Sequence, residues 1–443
     1  MLSNDCILVV LALVGLFGCS VQPGPSAPSG PAEEGEPIVD TAGTMGTDVL
    51  PPQAPAVVPS AVNDAYMPMP SAGGEGAPDV DAGAGFDFPD PADSGLRDAG
   101  IPRAPLGEPL PGSQDTWTYT EFTDTQCRDG SPAGVFVNLG STDKLMIFLE
   151  GGGRCVNEET CGLFVFPANV EGGSLVRFVA SGGILDRERA ENPVGDWNIV
   201  YVPYCTGDRH GGANPDGIVP GVGRQHFVGY HNLRKFLSRI VPTFPDTTDV
   251  LLTGISAGGF GVARTAELVQ RAFQDVKIKT INDSGPFVSS NVFTPCDQER
   301  TRTQQALEKT FLADCGADCP NPNDYWMDYG VHLARRFADR PTGFISSMED
   351  TVERMMFGIG VDNCTGALDL FNPGIPAADF RADVLSYREK IAMYPNASTF
   401  YIEGDAHTYV AFDEFYTVTS GGMRLVDWFA TIVNGRSPGH VGP

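Results

Sequence analysis

The sequence predicts an α/β fold: a mostly parallel sheet with helices on both faces, preceded by a disordered tether. Three observations carry this. Short apolar runs, each closed by a turn signal, alternate with stretches of helical periodicity. Strands that alternate with helices build right-handed βαβ units, and those build a parallel sheet. The first quarter of the chain has no sustained apolar pattern at all.

The expected strands are 145–149, 197–202, 250–253, 276–281, 343–347 and 399–402. They end, respectively, in Glu150 and three glycines, in Pro203, in Gly254, in Asn282-Asp283, before Glu349-Asp350, and in Glu403-Gly404. Unbroken apolar runs of this length suit strands covered on both faces. The expected helices are 230–240, 259–273, 325–337, 379–393 and 423–433. In such sheets the chemistry lies beyond the carboxyl ends of the strands, where these glycines and acids fall.

The 443-residue chain divides into three parts. Residues 1–19, MLSNDCILVVLALVGLFGC, hold an apolar run too short to span a bilayer and suited to a signal-peptide core. It ends at Leu16-Phe17-Gly18-Cys19, which resembles a bacterial lipobox. The expectation is an exported lipoprotein, anchored through Cys19 at the outer membrane or cell surface. A plainly secreted protein is the alternative. Residues 20–112 are dominated by Pro, Gly, Ala, Ser and Asp. They cannot bury enough apolar surface to offset the entropy of ordering and read as a tether. Residues 113–443 are the folded domain.

The formal charge is −27, and between Val21 and Gly112 the only basic residues are Arg97 and Arg103. So acidic a chain repels phosphate, which excludes nucleic acid as a partner. Of 10 cysteines, Cys6 and Cys19 belong to the targeting segment. The remaining eight are an even set in an exported protein, and read as disulfides. A zinc site would need a CxxC pair or a ligand-spaced histidine, and the sequence has neither. No cofactor, no metal and a monomer are expected.

The stretch LLTGISAGGFGVAR, residues 251–264, sets one serine between glycines where a strand turns into a helix. So abrupt a turn strains the backbone and needs neighbours without side-chain bulk. Ser256 would then stand exposed over the sheet, with the helix N-terminus behind it and the Ala257 amide free to meet an oxyanion. In FLEGGGRC, residues 148–155, a glycine run directly follows a buried strand. Its amides, Gly152 and Gly153 among them, can complete an oxyanion hole. Of six histidines, His407 falls just past the last expected strand. It is the candidate base, and the order Ser, acid, His then matches the α/β-hydrolase order. For the acid, Asp350 follows the strand two after that of the serine and is preferred. Asp283, one strand after it, stays as the alternative, with an Asx turn as its structural role. Asp405 is too near His407 in sequence for triad geometry.

With these residues in hand, the chain from about 116 to 433 resembles the pectin acetylesterase and Notum-type carboxylesterase family. The matching stretches are CRDGSPAG (127–134), FLEGGGRC (148–155), WNIVYVPYCTGD (197–208), GISAGGFG (254–261), INDSG (281–285) and DAHTYV (405–410). The resemblance implies an α/β-hydrolase fold and metal-free hydrolysis of ester-linked acyl groups, such as O-acetyl groups on an extracellular polysaccharide. An esterase for longer chains, or a non-catalytic binder, are the rival readings. The resemblance maps the nucleophile to Ser256, the acid to Asp350, the base to His407 and the oxyanion donors to Gly152, Gly153 and Ala257. It implies a Cys155–Cys161 bridge, and Cys127–Cys205, Cys315–Cys319 and Cys296–Cys364 complete the pairing. The chain departs from the family at Gly153-Arg154, where plant and animal members carry a tryptophan in or beside the glycine run.

Overall fold

The computed structural model describes residues 106–163, 182–322, 324–358 and 374–443. Cys19, the expected targeting segment and the expected tether up to residue 105, and Cys364 lie outside them. Ten strands position the site. They are β1 (Thr118–Phe122), β2 (Ala133–Asn138), β3 (Lys144–Leu149), β4 (Asn198–Val202), β5 (Asn214–Val219), β6 (Gly223–Phe227), β7 (Asp249–Ile255), β8 (Lys279–Asp283), β9 (Thr342–Ser347) and β10 (Ala397–Ile402). The main helices are α1 (Gly229–Thr243), α2 (Ala257–Phe273), α3 (Pro295–Gln305), α4 (Tyr325–Arg336), α5 (Thr351–Gly358), α6 (Ala377–Ile391) and α7 (Leu425–Val433).

Eight strands form one sheet in the order β1-β2-β4-β3-β7-β8-β9-β10. From β4 to β10 every pairing is parallel, while β1–β2 and β2–β4 are antiparallel. All six strands expected from the sequence belong to the parallel part. The two antiparallel strands at the β1 edge, and the separate β5–β6 hairpin, were not expected.

Alternation along the strands builds two cores. Leu145, Ile147 and Leu149 of β3 join Leu233, Phe236, Val262 and Val269 from α1 and α2. The intervening Met146 and Phe148 join Leu425, Trp428 and Phe429 of α7. Successive strand side chains point to opposite faces, so one apolar run supplies both layers. That is the physical content of helices on both faces. Segment 107–110 already packs on the domain: the Gly107 amide donates to the Ser238 carbonyl at 2.9 Å, and the Leu110 amide to Thr243 Oγ1 at 2.7 Å.

Three disulfides join described cysteines: Cys127–Cys205, Cys155–Cys161 and Cys315–Cys319. Cys296 is disulfide-bonded as well.

Candidate active site

Ser256 occupies the single residue between β7 and α2, with φ 54° and ψ −120°. A positive φ in a non-glycine residue is strained. The neighbours explain how it is held. The Ser256 amide donates to the Asp283 carbonyl at 2.8 Å, and its carbonyl accepts the Phe260 amide at 3.1 Å. A Cβ on Gly258 would lie 2.0 Å from the Leu149 carbonyl oxygen, so only glycine lets α2 start this close to the end of β3. Serine at a helix start normally caps it through its hydroxyl; here the side chain makes no cap.

The glycine run lies against this turn. A Cβ on Gly151 would sit 2.8 Å from the Ile255 carbonyl and 3.0 Å from Ser256 Cβ. Gly152 and Gly153 adopt φ 146° and 78°. The amides of Gly152, Gly153 and Ala257 make no hydrogen bond among the described residues. Arg154 turns away from the run. It is 1% exposed, donates to the Met356 carbonyl at 2.7 Å and pairs with Asp297 at 2.6 Å.

His407 and Asp350 are brought together because β9 and β10 continue their pairing past the strand ends. The Met348 amide donates to the Ile402 carbonyl, Glu349 to Gly404 and Thr351 to Asp405, at 2.9 to 3.0 Å. Asp350, 0% exposed, then uses its two oxygens differently. Oδ1 accepts the Glu353 amide at 2.9 Å and so caps α5; Oδ2 lies 2.8 Å from His407 Nδ1. His407 Nε2 is buried and has no hydrogen-bond partner among the described residues. Ser256 Oγ and Nε2 are therefore not bonded to each other.

Asp283 does a different job. Its Oδ2 accepts the Tyr409 and Val410 amides at 2.7 and 2.8 Å, and Oδ1 accepts the Ser284 hydroxyl at 2.9 Å. Its carbonyl holds the Ser256 amide while its carboxylate holds the residues just past His407. One residue thus fixes both segments relative to each other. Burial pushes its carboxyl up to about 6 against the pull of these hydrogen bonds.

Two further buried acids, to which the sequence assigned no individual role, lie near these residues. Glu353 is 2% exposed, and its Oε2 stands 3.8 Å from Arg209 Nη2. Burial raises it to about 7, against the charges of Arg209 and His407. Glu150, at the start of the glycine run, is raised to about 7 by burial, offset in part by bonds from Tyr201 Oη and the Tyr204 amide, each 2.7 Å. Burial tends to lower the His407 pKa, but the charge and hydrogen bond of Asp350, then the charges of Glu353 and Asp283, outweigh it and raise it to about 9. The only sequence signal for Glu353 was its place one turn beyond Asp350. The other histidines sit elsewhere: His210, for one, is buried, with Nε2 2.9 Å from the Glu150 carbonyl. Among the described residues, no group of three or more His, Cys, Asp or Glu is placed to hold a metal ion.

A serine at a strained strand-to-helix turn, a glycine run against it and a histidine bonded to a buried acid are features that can be compared with other proteins. The family model described as Pectinacetylesterase matches residues 117–315. Palmitoleoyl-protein carboxylesterase notum1' of Xenopus laevis is 28% identical over 183 residues, covering 39% of this chain and 36% of that protein. Palmitoleoyl-protein carboxylesterase NOTUM of Homo sapiens is 28% identical over 187 residues, 40% of this chain and 37% of that one. The chain thus spans little more than a third of the length of these relatives. The inactive palmitoleoyl-protein carboxylesterase notum1b of Danio rerio is 33% identical over 102 residues, 20% of this chain and 67% of that protein. The structure of the Wnt deacylase Notum from Drosophila superposes with a TM-score of 0.53 at 19% identity, over 73% of this chain and 95% of that one. That likeness speaks for a shared α/β-hydrolase fold. With the family model on the sequence and the fold on the structure, the chain belongs to the pectin acetylesterase and Notum-type carboxylesterase family.

Proposed function

We propose that the protein is a serine carboxylesterase that hydrolyses O-acyl esters, O-acetyl groups on an extracellular polysaccharide foremost, through an acyl-enzyme on Ser256. One observation carries the reading: His407 is oriented at Nδ1 by a buried Asp350 and leaves Nε2 without a partner among the described residues. That is the arrangement a general base needs.

In the mechanism, Ser256 Oγ attacks the acyl carbonyl carbon while His407 Nε2 takes the hydroxyl proton. The negative charge on the carbonyl oxygen is met by the amides of Gly152, Gly153 and Ala257, a contribution of about 3–4 kcal/mol per donor. The ester C–O bond breaks, and the alcohol leaves with the proton from His407. Water, deprotonated by His407, then attacks the acyl-serine; the carboxylic acid departs and Ser256 recovers its proton. Asp350 supports the transient imidazolium.

The palmitoleoyl-protein carboxylesterases among the relatives favour a second reading, a longer acyl chain. The inactive relative supports a third, a binder that keeps the fold. A chain-length series of nitrophenyl esters, combined with a fluorophosphonate serine probe, separates them. Fastest turnover of the acetate supports the first reading. Fastest turnover of long chains supports the second. Neither turnover nor labelling would support the third and overturn the proposal.

The disulfides fit an oxidising compartment outside the cytoplasm. On this reading the protein is exported and works as a monomer, held to the membrane by a lipid on Cys19 and lifted from it by the tether. Mass spectrometry of the mature N-terminus tests the anchor: a diacylglyceryl-cysteine at position 19 supports it, and an unmodified terminus contradicts it.

A further inference from the structure

A run of three glycines has more backbone freedom than any other tripeptide. Amides that serve an oxyanion must nevertheless point one way before the reaction begins. Something outside the run has to hold it, and one segment, 204–210, supplies four hydrogen bonds to residues 150–155.

Tyr204 follows the end of β4 and is 1% exposed. Its amide donates to Glu150 Oε2 at 2.7 Å, at the near end of the run. Its hydroxyl donates to the Gly153 carbonyl at 3.0 Å, at the far end. That hydroxyl is itself aimed, because it accepts the Arg209 amide at 2.8 Å. Two more ties come from the same segment. The Gly207 carbonyl accepts the Cys155 amide at 2.8 Å, and His210 Nε2 lies 2.9 Å from the Glu150 carbonyl.

The segment is rigid in its own right. Arg209 and His210 are consecutive non-glycine residues with φ 54° and 58°. Asp208 accepts from Thr206 Oγ1 at 2.6 Å and from the amides of Gly212 and Gly229 at 3.2 and 2.7 Å. Cys205 is bridged to Cys127. Strained backbone persists only where its surroundings over-determine it, and nothing in the acyl-transfer steps uses these residues directly.

We propose that Tyr204 is a positioning residue for catalysis: its amide and hydroxyl span Gly151–Gly153 like a strap and fix the direction of the oxyanion-hole amides. The catalytic part of this proposal rests on the esterase reading above; the structural part does not. Tyr204 touches no reacting atom. It acts through the glycine run.

Tyr204→Phe keeps the ring against His210 and the amide bond to Glu150, and deletes only the hydroxyl. Two measurements test it. In hydrogen–deuterium exchange, peptides covering 150–155 exchange faster in the variant, while β7 and β8 are unchanged. Unchanged exchange at 150–155 overturns the strap whether or not the protein is an esterase. In kinetics with 4-nitrophenyl acetate, kcat falls about ten- to a hundred-fold with KM nearly constant, less than the roughly 10²–10³ for loss of a whole oxyanion donor. Affinity for a phenylboronic acid, which forms a tetrahedral adduct on serine, falls in parallel. Equal kcat and boronate affinity in a wild type that does turn over would overturn the catalytic role alone. Glu150→Gln is the second variant: it weakens the near tie, and the same faster exchange at 150–155 is expected. A change confined to thermal stability, with exchange and kcat intact, would make Tyr204 merely structural and contradict the proposal.

Discussion

Asp283 Oδ2 accepts the amide of Tyr409 at 2.7 Å, two residues beyond His407. The same residue's carbonyl holds the Ser256 amide. Asp283 is thus bonded to backbone, while Asp350 is bonded to the imidazole. The two aspartates that sequence order alone left open differ in what they bind, and their variants should differ accordingly.

Asp350→Asn is expected to lower kcat by about 10³–10⁴, because an amide cannot hold the imidazole in its productive tautomer or support its charge. Asp283→Asn is expected to cost less in kcat and more in stability, about 1–3 kcal/mol, since one buried amide acceptor is lost or mispaired. Paired measurements of kcat/KM and thermal midpoint check this. A larger kcat loss in Asp283→Asn would reverse the assignment.

The pH dependence follows from the charges around His407. Burial works to lower its pKa, but Asp350, Glu353 and Asp283 together hold it at about 9. In the proposed mechanism His407 must be neutral to take the serine proton. Activity should therefore rise with pH through the neutral range and level off only near 9. Glu353→Gln removes one of the charges that favour the imidazolium, so the rising limb should move to lower pH. A limb at 6.5 or below in the wild type, or no movement in the variant, would contradict this electrostatic account.

Close approach makes a steric prediction. Gly258→Ala would drive a methyl group to 2.0 Å from the Leu149 carbonyl, a backbone atom that cannot yield cheaply. The expected cost exceeds about 3 kcal/mol, near the upper range for single substitutions. At Gly151 the nearest atoms are the Ile255 carbonyl and Ser256 Cβ, so Gly151→Ala should damage turnover more than folding. Thermal midpoints and kcat measured side by side distinguish the two patterns.

The disulfides should differ in worth. Cys127–Cys205 spans a sequence separation of 78, and Cys315–Cys319 spans 4. Loop-closure entropy gives about 4.5 kcal/mol for the first and about 2 for the second. Alanine pairs at each site, compared by urea unfolding, test the ranking. The first pair should also lower kcat, since Cys205 adjoins Tyr204.

How legible the molecule was in its sequence depended on whether the signal was local. The six parallel strands were legible because burial on both faces makes them unbroken apolar runs, as in KLMIFL and NIVYV. β1 was not, because an edge strand buried on one side alternates, as TYTEF does. α3, PCDQERTRTQQ, was missed because it offers almost no apolar face; it is held by polar contacts such as Thr294 capping Asp297. The place of Ser256 between a strand and a helix, and the pairing of His407 with Asp350, were legible from chain order and turn chemistry. The buried charges behind them were not. Arg154 bonds to a carbonyl 202 residues away, and Glu353 faces Arg209 across two chain segments. A charged residue on a helix or loop reads as solvated until the fold supplies its distant partner.

The most direct test of the account is the turnover of 4-nitrophenyl acetate by Ser256→Ala, with fluorophosphonate labelling of both proteins followed by peptide mass spectrometry. The account predicts a single adduct on Ser256 of the wild type, none on the variant, and a loss of turnover of at least about 10³ with an unchanged thermal midpoint. Turnover by the variant near the wild-type rate, or an adduct on another residue, would contradict it.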